Sequence, residues 1–587
     1  MISGEIPTLS SAENAIDYVS QYPTMFDYVR KLIGLPKSFG LHACGKIIAT
    51  KDLDYFLPSC YDSEGIRYLQ GDMHDVEDVG LVKIDVLGLR TLDQEYDTLE
   101  MSNEDISFID PRQDFTDEAT LDVFRNGDTV GIFQMSSYGM KATLKKMDVR
   151  GIEDLSIANA LYRPGAMQYI DMFCNRRQGK ETVEYLHPDL EPILRNTYGI
   201  LVFQEQLIEI GRMAGIHNPD LLRKATGKKD VNLLNKVKPE LHDNLIDRGW
   251  TEEQFNKLWC DMLEFAKYSF NKSHSSAYAI IAYMTAKEKA HYPTEFFAGL
   301  CNSYIGKSSF VKDNAEEIVS DMYSHKVIFQ PFDFRRDHRR CSCLDGRVIY
   351  GIPLIKDCNN NVAEALYDIK DNSYNYFWEI LKDLNQKDIT KKQIEILILL
   401  NFFSDFGNSK QLLRVKDIFE FFKCGESKKV SKSKIDEASP LGKIVKKYST
   451  DRTKNGAEAK SFTLLDINSI FNECEDYIKS LDISDFSLKE RMATQKEYLG
   501  FFPMIVGETE DRRKLFVNKV YPLKRKKDGK QFGYSIITTS VGSGKQSRFT
   551  VFNRLFLSDP INEGDIIYCE RWERNGSYFT LTGYSKL

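Results

Sequence analysis

Residues 80–90 have the sequence GLVKIDVLGLR, which sets a single carboxylate, Asp85, in a short apolar run. Alternate side chains of a strand point to opposite faces, so Lys83 and Asp85 lie on one face and Ile84 and Val86 on the other. A charge buried in such a strand is costly unless a metal ion or a counter-ion compensates it. The spacing alone leaves two interpretations open: Asp85 is a metal ligand, or it ends the strand and caps the following turn.

Further distinctive blocks lie on both sides of this run. They are Leu41-His-Ala-Cys-Gly45, Ile132-Phe-Gln134, Gly139-Met-Lys141, Ala160 to Gly165, Thr197 to Gln206, Leu222 to Lys229 and Phe270 to Tyr278. In content and order they resemble the bacterial C-family replicative DNA polymerases, the DNA polymerase III alpha subunits. The resemblance implies that Asp85 is the third aspartate of the catalytic metal-binding triad, on a strand of the palm.

The same family carries its other two catalytic aspartates in an upstream Pro-Asp-x-Asp-x-Asp run, and this chain starts downstream of that point. Asp52 and Asp54 imitate the spacing but follow the histidine block, so we expect them in a surface turn. The resemblance therefore implies the C-terminal part of a split polymerase, encoded by a phage or a similarly compact genome. Asp85 would supply one ligand to two Mg²⁺ ions, and a second polymerase chain with the upstream palm aspartates would complete the site.

The resemblance implies an α+β multidomain fold. Its parts are the end of a thumb (1–40), the C-terminal part of the palm (41–90), large helical fingers (91–340), a helix-hairpin-helix region (341–423), a linker with a candidate clamp-binding segment (424–500) and a C-terminal OB-fold β-barrel (501–587). Apolar residues at helical spacing support a helix within the first part. Lys- and Ser-rich composition predicts the linker at 424–460, and alternating segments between 512 and 584 predict the barrel.

Candidate substrate-binding residues lie in the fingers blocks and beside Asp85. Lys83 would neutralise triphosphate or primer charge near the metal ions. By resemblance, the incoming dNTP and the nascent base pair would contact Arg163, Arg223, Lys224, Lys228, Lys229, Lys272, His274 and Tyr278. Lys224 stands where the family usually has arginine, which keeps the charge and loses the bidentate fork. His274 could instead be a helix-start residue bonded to backbone, and Arg163 could pair with a carboxylate.

Two later regions are candidate DNA contacts. In the helix-hairpin-helix region, Asp357-Cys-Asn-Asn-Asn361 replaces the family's Gly-x-Gly turn and adds a negative charge, which counts against phosphate binding there. In the barrel, aromatic and basic residues interleave as in domains that stack single-stranded bases: Lys524, Arg525, Lys526, Lys527, Phe532, Arg548 and Phe549. The alternative is that these aromatic residues are core and the basic hairpin is solvated. A sliding clamp would be bound by Ile467 to Phe471, which lacks the family's glutamine.

Composition is that of a globular protein of several domains, with 587 residues, 42% hydrophobic and 28% charged. No segment approaches the roughly 20 apolar residues that span a membrane, and the N-terminus lacks the pattern of a signal peptide. Eleven scattered cysteines without CxxC spacing predict reduced thiols in a bacterial cytosol, that of an infected host included. The net charge of −7 does not exclude DNA, because phosphate contact depends on local basic surface.

Two hypotheses of different kinds follow. In the first, the chain is a polymerase subunit that joins a partner chain and extends a primer on a DNA template with dNTPs and Mg²⁺. In the second, it is a non-catalytic DNA-binding or assembly subunit derived from a polymerase. The presence of Asp85, Lys83 and the basic block at 222–229 favours the first, because a scaffold needs none of them.

Overall fold

A computed structural model of the chain describes residues 22–35, 40–42, 44–227, 231–266, 268–307, 310–452, 457–505, 511–525, 529–575 and 578–587. Lys228, Lys229, Lys526 and Lys527 lie outside the described residues. The chain divides into two compact units, Met1–Leu89 and Arg90–Leu587. No helix in the described part of the chain is long and apolar enough to cross a membrane.

Short elements make up the first unit. Its helices are α1 (Pro23–Leu32) and α2 (Met73–Asp78), and its strands are β1 (Gly45–Ile48), β2 (Ser59–Tyr61), β3 (Arg67–Leu69) and β4 (Val82–Asp85). Strand β1 pairs antiparallel with β4, and β2 pairs antiparallel with β3. The carboxylate of Asp72 starts α2 by accepting bonds from the backbone N–H groups of His74 and Asp75, which directs the chain into β4.

The strand that carries Asp85 is exposed. Val82 is 60% exposed and Ile84 44%, and among the described residues of this unit only Val76 and Leu81 are buried apolar side chains. The strand that carries Asp85 is therefore not buried within this unit. The physical reason is that a two-stranded sheet has no third layer to cover it, and isolated two-stranded sheets are marginal in water.

The second unit opens with a helical region, as the spacing of apolar residues predicts. Its helices are α3 (Arg90–Ser102), α4 (Glu118–Arg125), α5 (Tyr138–Met147), α6 (Ile152–Leu161), α7 (Ile170–Arg177), α8 (Glu191–Leu194), α9 (Gln204–Met213), α10 (Asp220–Gly227), α11 (Val231–Asp247), α12 (Glu252–Phe265), α13 (Lys272–His291), α14 (Pro293–Asn302) and α15 (Ala315–Ser324). Helix α13 packs on α3, α4, α6 and α14, so it is the centre of this region.

Two small sheets and further helices follow. They are β5 (Ser342–Leu344), β6 (Arg347–Ile349), α16 (Asn360–Ile369), α17 (Phe377–Asn385), α18 (Lys391–Leu399), α19 (Ser409–Phe421), β7 (Lys429–Ser431), α20 (Pro440–Lys447), β8 (Ser449–Arg452), β9 (Glu458–Leu464), α21 (Ile467–Ser480) and α22 (Leu488–Leu499). The order in the three-stranded sheet is β7-β9-β8.

The prediction of a linker at 424–460 is wrong. The segment forms β7, α20, β8 and part of β9, and its few apolar side chains, such as Val430, Val445 and Phe462, are buried in the main core of the second unit. A short run of widely spaced anchors is enough here because the neighbouring helices supply the rest of the core.

The candidate clamp-binding segment is also part of the core. Ile470 and Phe471 are buried in the first turns of α21, and the ring of Phe471 lies 5.2 Å from that of Trp378. A peptide that inserts its apolar side chains into a partner must expose them, so Ile467 to Phe471 do not act as such a segment in this folded form.

The C-terminal strands form the predicted barrel. They are β10 (Lys514–Lys524), β11 (Gln531–Ser540), β12 (Gln546–Phe552), β13 (Ile566–Asn575) and β14 (Tyr578–Lys586), and helix α23 (Asn553–Ser558) joins β12 to β13. The order around the closed barrel is β10-β11-β12-β14-β13. The pair β12–β14 is parallel and the other pairs are antiparallel. Val517, Ile536, Val551, Ile567 and Leu581 fill the interior.

Buried charge fixes the C-terminal half of α13. The Nζ atom of Lys289 is fully buried and donates to Asp128 Oδ1 at 2.8 Å and to Asp321 Oδ2 at 2.6 Å. His325 Nε2 lies 2.8 Å from the other oxygen of Asp128. In the described chain, Asp128, Asp321 and His325 are the one group of three or more side chains close enough to hold a metal ion. The lysine already supplies the positive charge there, so this cluster is structural.

The residue before Lys289 is buried without a partner. Both carboxyl oxygens of Glu288 are buried and none of the described residues bonds them. Glu95 on α3 is also buried and accepts a bond from the Thr285 hydroxyl at 2.9 Å. Burial raises the pKa of Glu288 well above its ordinary value, with a contribution from Glu95, and burial raises the pKa of Glu95 to about 7. Both carboxyl groups therefore stay protonated up to a higher pH in the folded chain than in the unfolded chain.

We predict that the free energy of unfolding falls as pH rises from about 4.5 to about 7, because the folded state binds the extra protons over that range. Glu288→Met removes the unpartnered carboxyl group. It should raise the free energy of unfolding at pH 8 by about 1–3 kcal/mol and flatten its pH dependence. Urea unfolding followed by circular dichroism at pH 5 and pH 8 measures both quantities. Glu253→Met, on the exposed first turn of α12, is the matched control, and an equal effect of the two variants contradicts the assignment.

Candidate active site

Asp85 is held by two residues of the first unit. Lys83 Nζ lies 2.9 Å from Asp85 Oδ1 and 3.0 Å from Oδ2, and His42 Nε2 lies 3.9 Å from Oδ1. The predicted common face of Lys83 and Asp85 is thus confirmed. Gly45 pairs with Asp85 across the sheet, and a Cβ atom there would meet Lys83 Cε at 2.9 Å. The glycine of the histidine block therefore leaves room for the lysine.

His42 is oriented through its other ring nitrogen. Its Nδ1 atom accepts bonds from the backbone N–H groups of Gly45 at 2.9 Å and Cys44 at 3.3 Å. An Nδ1 atom that accepts must be unprotonated in the neutral ring, so the proton lies on Nε2, the nitrogen nearer Asp85. His42 therefore lies beside the carboxylate with its Nε2–H group on that side, next to Lys83, and sequence reasoning did not assign it a role at Asp85. The available signal in the sequence was that His42 belongs to the same block as Gly45, the residue that pairs with Asp85.

Asp85 fits Mg²⁺ as one oxygen ligand, since its side chain is 45% exposed. It does not fit as the whole site. In the described part of the chain, no group of three or more potential metal-ligand side chains includes Asp85. Two metal ions clamp the reacting oxygens in nucleotidyl transfer, and a single carboxylate cannot hold both.

Asp52 and Asp54 form the surface turn that was expected. The Asp52 carboxylate starts the short turn Leu53–Tyr55, and Arg67 Nη2 lies 2.8 Å from Asp52 and 2.7 Å from Asp54. The Arg67 guanidinium lowers the pKa of Asp52, and the Ser59 hydroxyl, followed by Arg67, lowers the pKa of Asp54. Both carboxylates therefore form ion pairs with Arg67 at the surface.

An aromatic ladder runs along the N-terminal half of α13 in the second unit. We define the ladder as Arg163, Phe270, His274, Tyr278 and Phe133. The guanidinium of Arg163 lies 3.4 Å from the Phe270 ring centre, and the next ring-centre distances are 5.5 Å, 4.2 Å and 5.0 Å. The spacing of four residues puts His274 and Tyr278 on one helix face, and Phe270 lies two residues before the helix begins. The structure thus brings together three of the predicted substrate-binding residues.

Arg163 has no carboxylate ion pair with any residue that the structure describes, so the alternative of a paired arginine is not supported. Burial lowers the pKa of its guanidinium, which stays charged. The alternative for His274, a residue at the helix start with a bonded backbone, is partly correct. Its backbone N–H donates to the side-chain oxygen Oδ1 of Asn271 at 2.8 Å. Its ring is nevertheless exposed and lies against Tyr278, with ring centres 4.2 Å apart and planes tilted by 36°.

Lys272 is separated from the ladder. It lines a cavity of about 370 Å³ with Glu153, Glu205 and Glu209, and its Nζ atom lies 3.4 Å from Glu153. Glu205 accepts a bond from the Lys272 backbone N–H at 2.8 Å, so a carboxylate already occupies the start of α13. A triphosphate is not favoured among three carboxylates. Lys272 is therefore less suited to the predicted role than His274 or Tyr278.

The basic block at 222–229 is partly described. Arg223 Nε lies 2.7 Å from Asp220 Oδ1, and Lys224 Nζ lies 3.4 Å from Asp220 Oδ2 on the same helix. All three side chains are about half exposed. Such surface pairs are weak, so both cations remain able to change partner. Lys228 and Lys229, which were predicted to contact phosphate, lie outside the described residues.

In the first hairpin of the predicted helix-hairpin-helix region, Asp357 adopts a left-handed backbone with φ +67°. Its carboxylate lies 2.6 Å from Lys392 Nζ, which lowers the pKa of Asp357. The turn therefore survives without the expected glycine, and the added negative charge is compensated by a lysine at the start of α18.

The barrel divides the predicted DNA-binding residues between its two faces. Phe549 is 7% exposed and packs in the interior, so stacking on a base is excluded for it in this fold and the core alternative is correct. Lys524, Arg525 and Arg548 are exposed, and Phe532 is half-buried. Lys526 and Lys527 lie outside the described residues.

Sequence reasoning missed Trp572, the most exposed aromatic residue in the described part of the barrel. Trp572 is 52% exposed and Phe552 50%. The Trp572 ring lies 5.3 Å from Phe579, which lies 6.1 Å from buried Phe549, so a packed column supports the exposed indole. Phe552 lies 6.4 Å from Phe532. A tryptophan between Arg571 and Arg574 was the available signal.

The fold is that of a multidomain protein with helical hairpins followed by a small closed barrel, a combination that also occurs in proteins that contact nucleic acid. Comparison with protein families makes the class more specific. Residues 3–88 match the bacterial DNA polymerase III alpha NTPase domain, residues 89–249 the bacterial DNA polymerase III alpha subunit finger domain, and residues 326–413 a helix-hairpin-helix motif.

Relatives named DNA polymerase III subunit alpha agree with these matches. The chain is 36% identical to that of Aquifex aeolicus over 65% of this chain and 33% of the relative. It is 32% identical to that of Bacillus subtilis over 66% of this chain and 35% of the relative. It is 30% identical to that of Treponema pallidum over 82% of this chain and 39% of the relative. Together the findings support a relationship to the alpha subunits of the C-family DNA polymerases. The chain spans little more than a third of the length of these relatives.

Proposed function

We propose that the chain is a subunit of a magnesium-dependent, DNA-directed DNA polymerase that extends a primer on a template with dNTPs during replication. The observation that carries the proposal is Asp85, an exposed carboxylate held by Lys83 and His42 on a strand within the matched family region. Bound Mg²⁺ would activate the primer 3′ oxygen and stabilise the leaving phosphate. Asp85 would orient one oxygen ligand, and Lys83 would move from the carboxylate to neutralise phosphate charge.

We further propose that the other metal ligands come from a second polymerase chain, as in a split, phage-type enzyme. Two features of the first unit support this. No group of three or more potential metal-ligand side chains among the described residues includes Asp85, and the sheet that carries it exposes Val82, Ile84 and Val86. A layer packed on that face would cover these side chains, and a strand added to an edge of β1–β4 would pair the open backbone groups.

The proposal predicts that Asp85→Asn abolishes primer extension by the chain combined with its carboxylate-bearing partner. Loss of a metal ligand removes several kcal/mol of transition-state stabilisation, about 10³-fold in rate. Radiolabelled primer extension under single-turnover conditions measures the rate. Asp78→Asn, an exposed carboxylate on α2, is the matched control.

An unchanged rate for Asp85→Asn in an active complex would exclude the metal-ligand role. Extension by the purified chain alone would exclude the need for a second chain. If no partner is captured by a tagged chain and no preparation extends primers, the non-catalytic DNA-binding or assembly subunit becomes the better hypothesis.

We propose that the aromatic ladder contacts the incoming dNTP and the nascent base pair. Its exposed His274 ring is backed by Tyr278, and Arg163 at one end carries a charge without a described carboxylate partner. A flat ring gives the nucleotide a stacking surface, and the guanidinium gives the triphosphate a fork of donors. Arg223 and Lys224, with Lys228 and Lys229 in the same block, would add positive charge, and Lys272 would hold the helix start.

In the active complex, His274→Ala should raise the apparent KM for dNTP about tenfold and lower kcat less, because one stacked ring contributes roughly 1–3 kcal/mol. Steady-state extension at varied dNTP concentration separates the two parameters. His217→Ala removes an exposed histidine elsewhere on the second unit and should leave KM unchanged. A fall in kcat with constant KM would assign His274 to another step.

We propose that the barrel is an OB-fold that binds single-stranded DNA. Its five strands close into a Greek-key-like barrel, since the parallel pair β12–β14 interrupts the up-and-down order. Trp572 and Phe552 would stack bases in place of Phe549, and Lys524, Arg525 and Arg548 would contact phosphates. Phe532 would support Phe552.

Trp572→Ala should weaken binding of a fluorescent single strand to the full chain by about 1–3 kcal/mol at constant salt dependence. Arg548→Gln should instead reduce the slope of log affinity against log salt by about one unit. Fluorescence anisotropy over a salt series measures both. Tyr477→Ala, an exposed aromatic on α21, serves as the control, and an equal loss in it and in Trp572→Ala would argue against a stacking site on the barrel.

A further inference from the structure

A second cavity lies in the helical region of the second unit, beside the Phe133 end of the ladder. Its volume is about 260 Å³, and the residues that matter for its chemistry are Arg90, Gln94, Phe133, Gln134, Ser136 and Tyr304. Clefts for drug-sized ligands have volumes of about 300–1,000 Å³, so this cavity suits something smaller. Its lining combines one cation, three side-chain amides with Asn314 included, one carboxylate and two aromatic rings.

Arg90 gives the cavity a fixed positive charge. Its guanidinium lies 4.3 Å from the ring centre of Tyr304, which is buried, so the side chain is oriented by a cation–π contact. No carboxylate in the described chain forms an ion pair with Arg90. Glu317 also lines the cavity, but Lys141 Nζ pairs with it at 3.0 Å. The cavity is therefore suited to an anion.

The loop that carries Phe133 and Gln134 is rigidly built. The Thr129 hydroxyl donates to the Met135 carbonyl at 2.6 Å, and the Ile132 N–H donates to the Thr129 carbonyl at 3.1 Å. Gln134 adopts a left-handed backbone with φ +58°, a conformation that costs energy in a residue other than glycine. A strained residue held by its surroundings at the rim of a cavity points to a role in that cavity.

Two glutamine side chains line the cavity. Gln94 is buried, and its Nε2 atom lies 3.5 Å from the Gly131 carbonyl, which ties it to the same loop. Gln134 is exposed. Glutamine amides offer a donor and an acceptor side by side, the pattern that matches the edge of a nucleobase.

We propose that this cavity binds a single nucleotide unit, with its phosphate on Arg90, its base edge on the amides of Gln94 and Gln134, and its ring against Phe133. The unit is a free mononucleotide or one nucleotide of a single strand, which share this chemistry. The site shares Phe133 with the ladder and differs from the proposed dNTP contact in its charge, which comes from Arg90 and not from Arg163. The inference rests on the proposed function only in taking nucleotides as ligands.

Phe133 connects the two sites. Its ring lines the cavity and also lies 5.0 Å from the Tyr278 ring. A nucleotide in the cavity would contact Phe133. Through Phe133 and Tyr278 it would affect the position of the His274 ring.

Binding to the full chain tests the proposal without any catalytic readout. Isothermal titration calorimetry with dAMP, deoxyadenosine, inorganic phosphate and a short single-stranded oligo(dA) identifies the required groups. Arg90→Gln should weaken dAMP binding about tenfold or more, because it removes a charge-assisted contact. Arg195→Gln, an exposed arginine elsewhere on the second unit, should not change the affinity. His274→Ala separates the cavity from the ladder.

The proposal is supported if dAMP binds, Arg90→Gln weakens that binding and His274→Ala leaves it intact. Tighter binding of oligo(dA) than of dAMP would identify a strand as the source, and the reverse a free nucleotide. The proposal fails if His274→Ala removes the binding while Arg90→Gln retains it, if phosphate binds as tightly as dAMP, or if no nucleotide binds. Failure here leaves the primer-extension result untouched, so the two proposals are judged separately.

Discussion

The fully buried ammonium group of Lys289 is the constraint on which the helical region depends. A buried lysine needs its charge compensated, and the carboxylates of Asp128 and Asp321 do this from two other parts of the chain. Removing either partner of such a pair leaves an uncompensated charge, which costs about 3–5 kcal/mol. The C-terminal half of the helix Lys272–His291 is thereby fixed in position, and its N-terminal half presents His274 and Tyr278 from a rigid base.

Buried and exposed ion pairs serve opposite purposes in this chain. The Lys289 pairs cannot be exchanged without that penalty, whereas an exposed pair such as Lys83–Asp85 contributes about 0–1 kcal/mol. A ligand can therefore take over Asp85 or Lys83 at little cost. The same holds for Arg223 and Lys224, which share the single exposed carboxylate of Asp220. Weak pairing at the surface keeps charged groups available for the substrate.

Sequence patterns anticipated the features that depend on local periodicity. The two-residue period of a strand put Lys83 beside Asp85, and alternation over the last strands predicted the barrel. Which face of a strand is interior was not predictable, because closure of the barrel decides it, and so Phe549 was assigned outward and Trp572 was overlooked. The Lys289 cluster was also out of reach, since Asp128 and Asp321 are distant from it in sequence. Val430 and Phe462 show why composition misled: a few anchors suffice when neighbouring helices complete the core.

Similarity to polymerase relatives does not by itself give the chain their activity, because function belongs to the site. Each unit carries one candidate feature of its own: an oriented carboxylate on an open sheet in the first, and a row of rings beside a fixed helix in the second. Asp85 by itself cannot hold two metal ions, so the proposed nucleotidyl transfer needs further ligands. Assembly with further carboxylates would turn a low-cost surface ion pair into a metal centre, and the exposed apolar residues Val82 and Ile84 give that assembly a hydrophobic driving force.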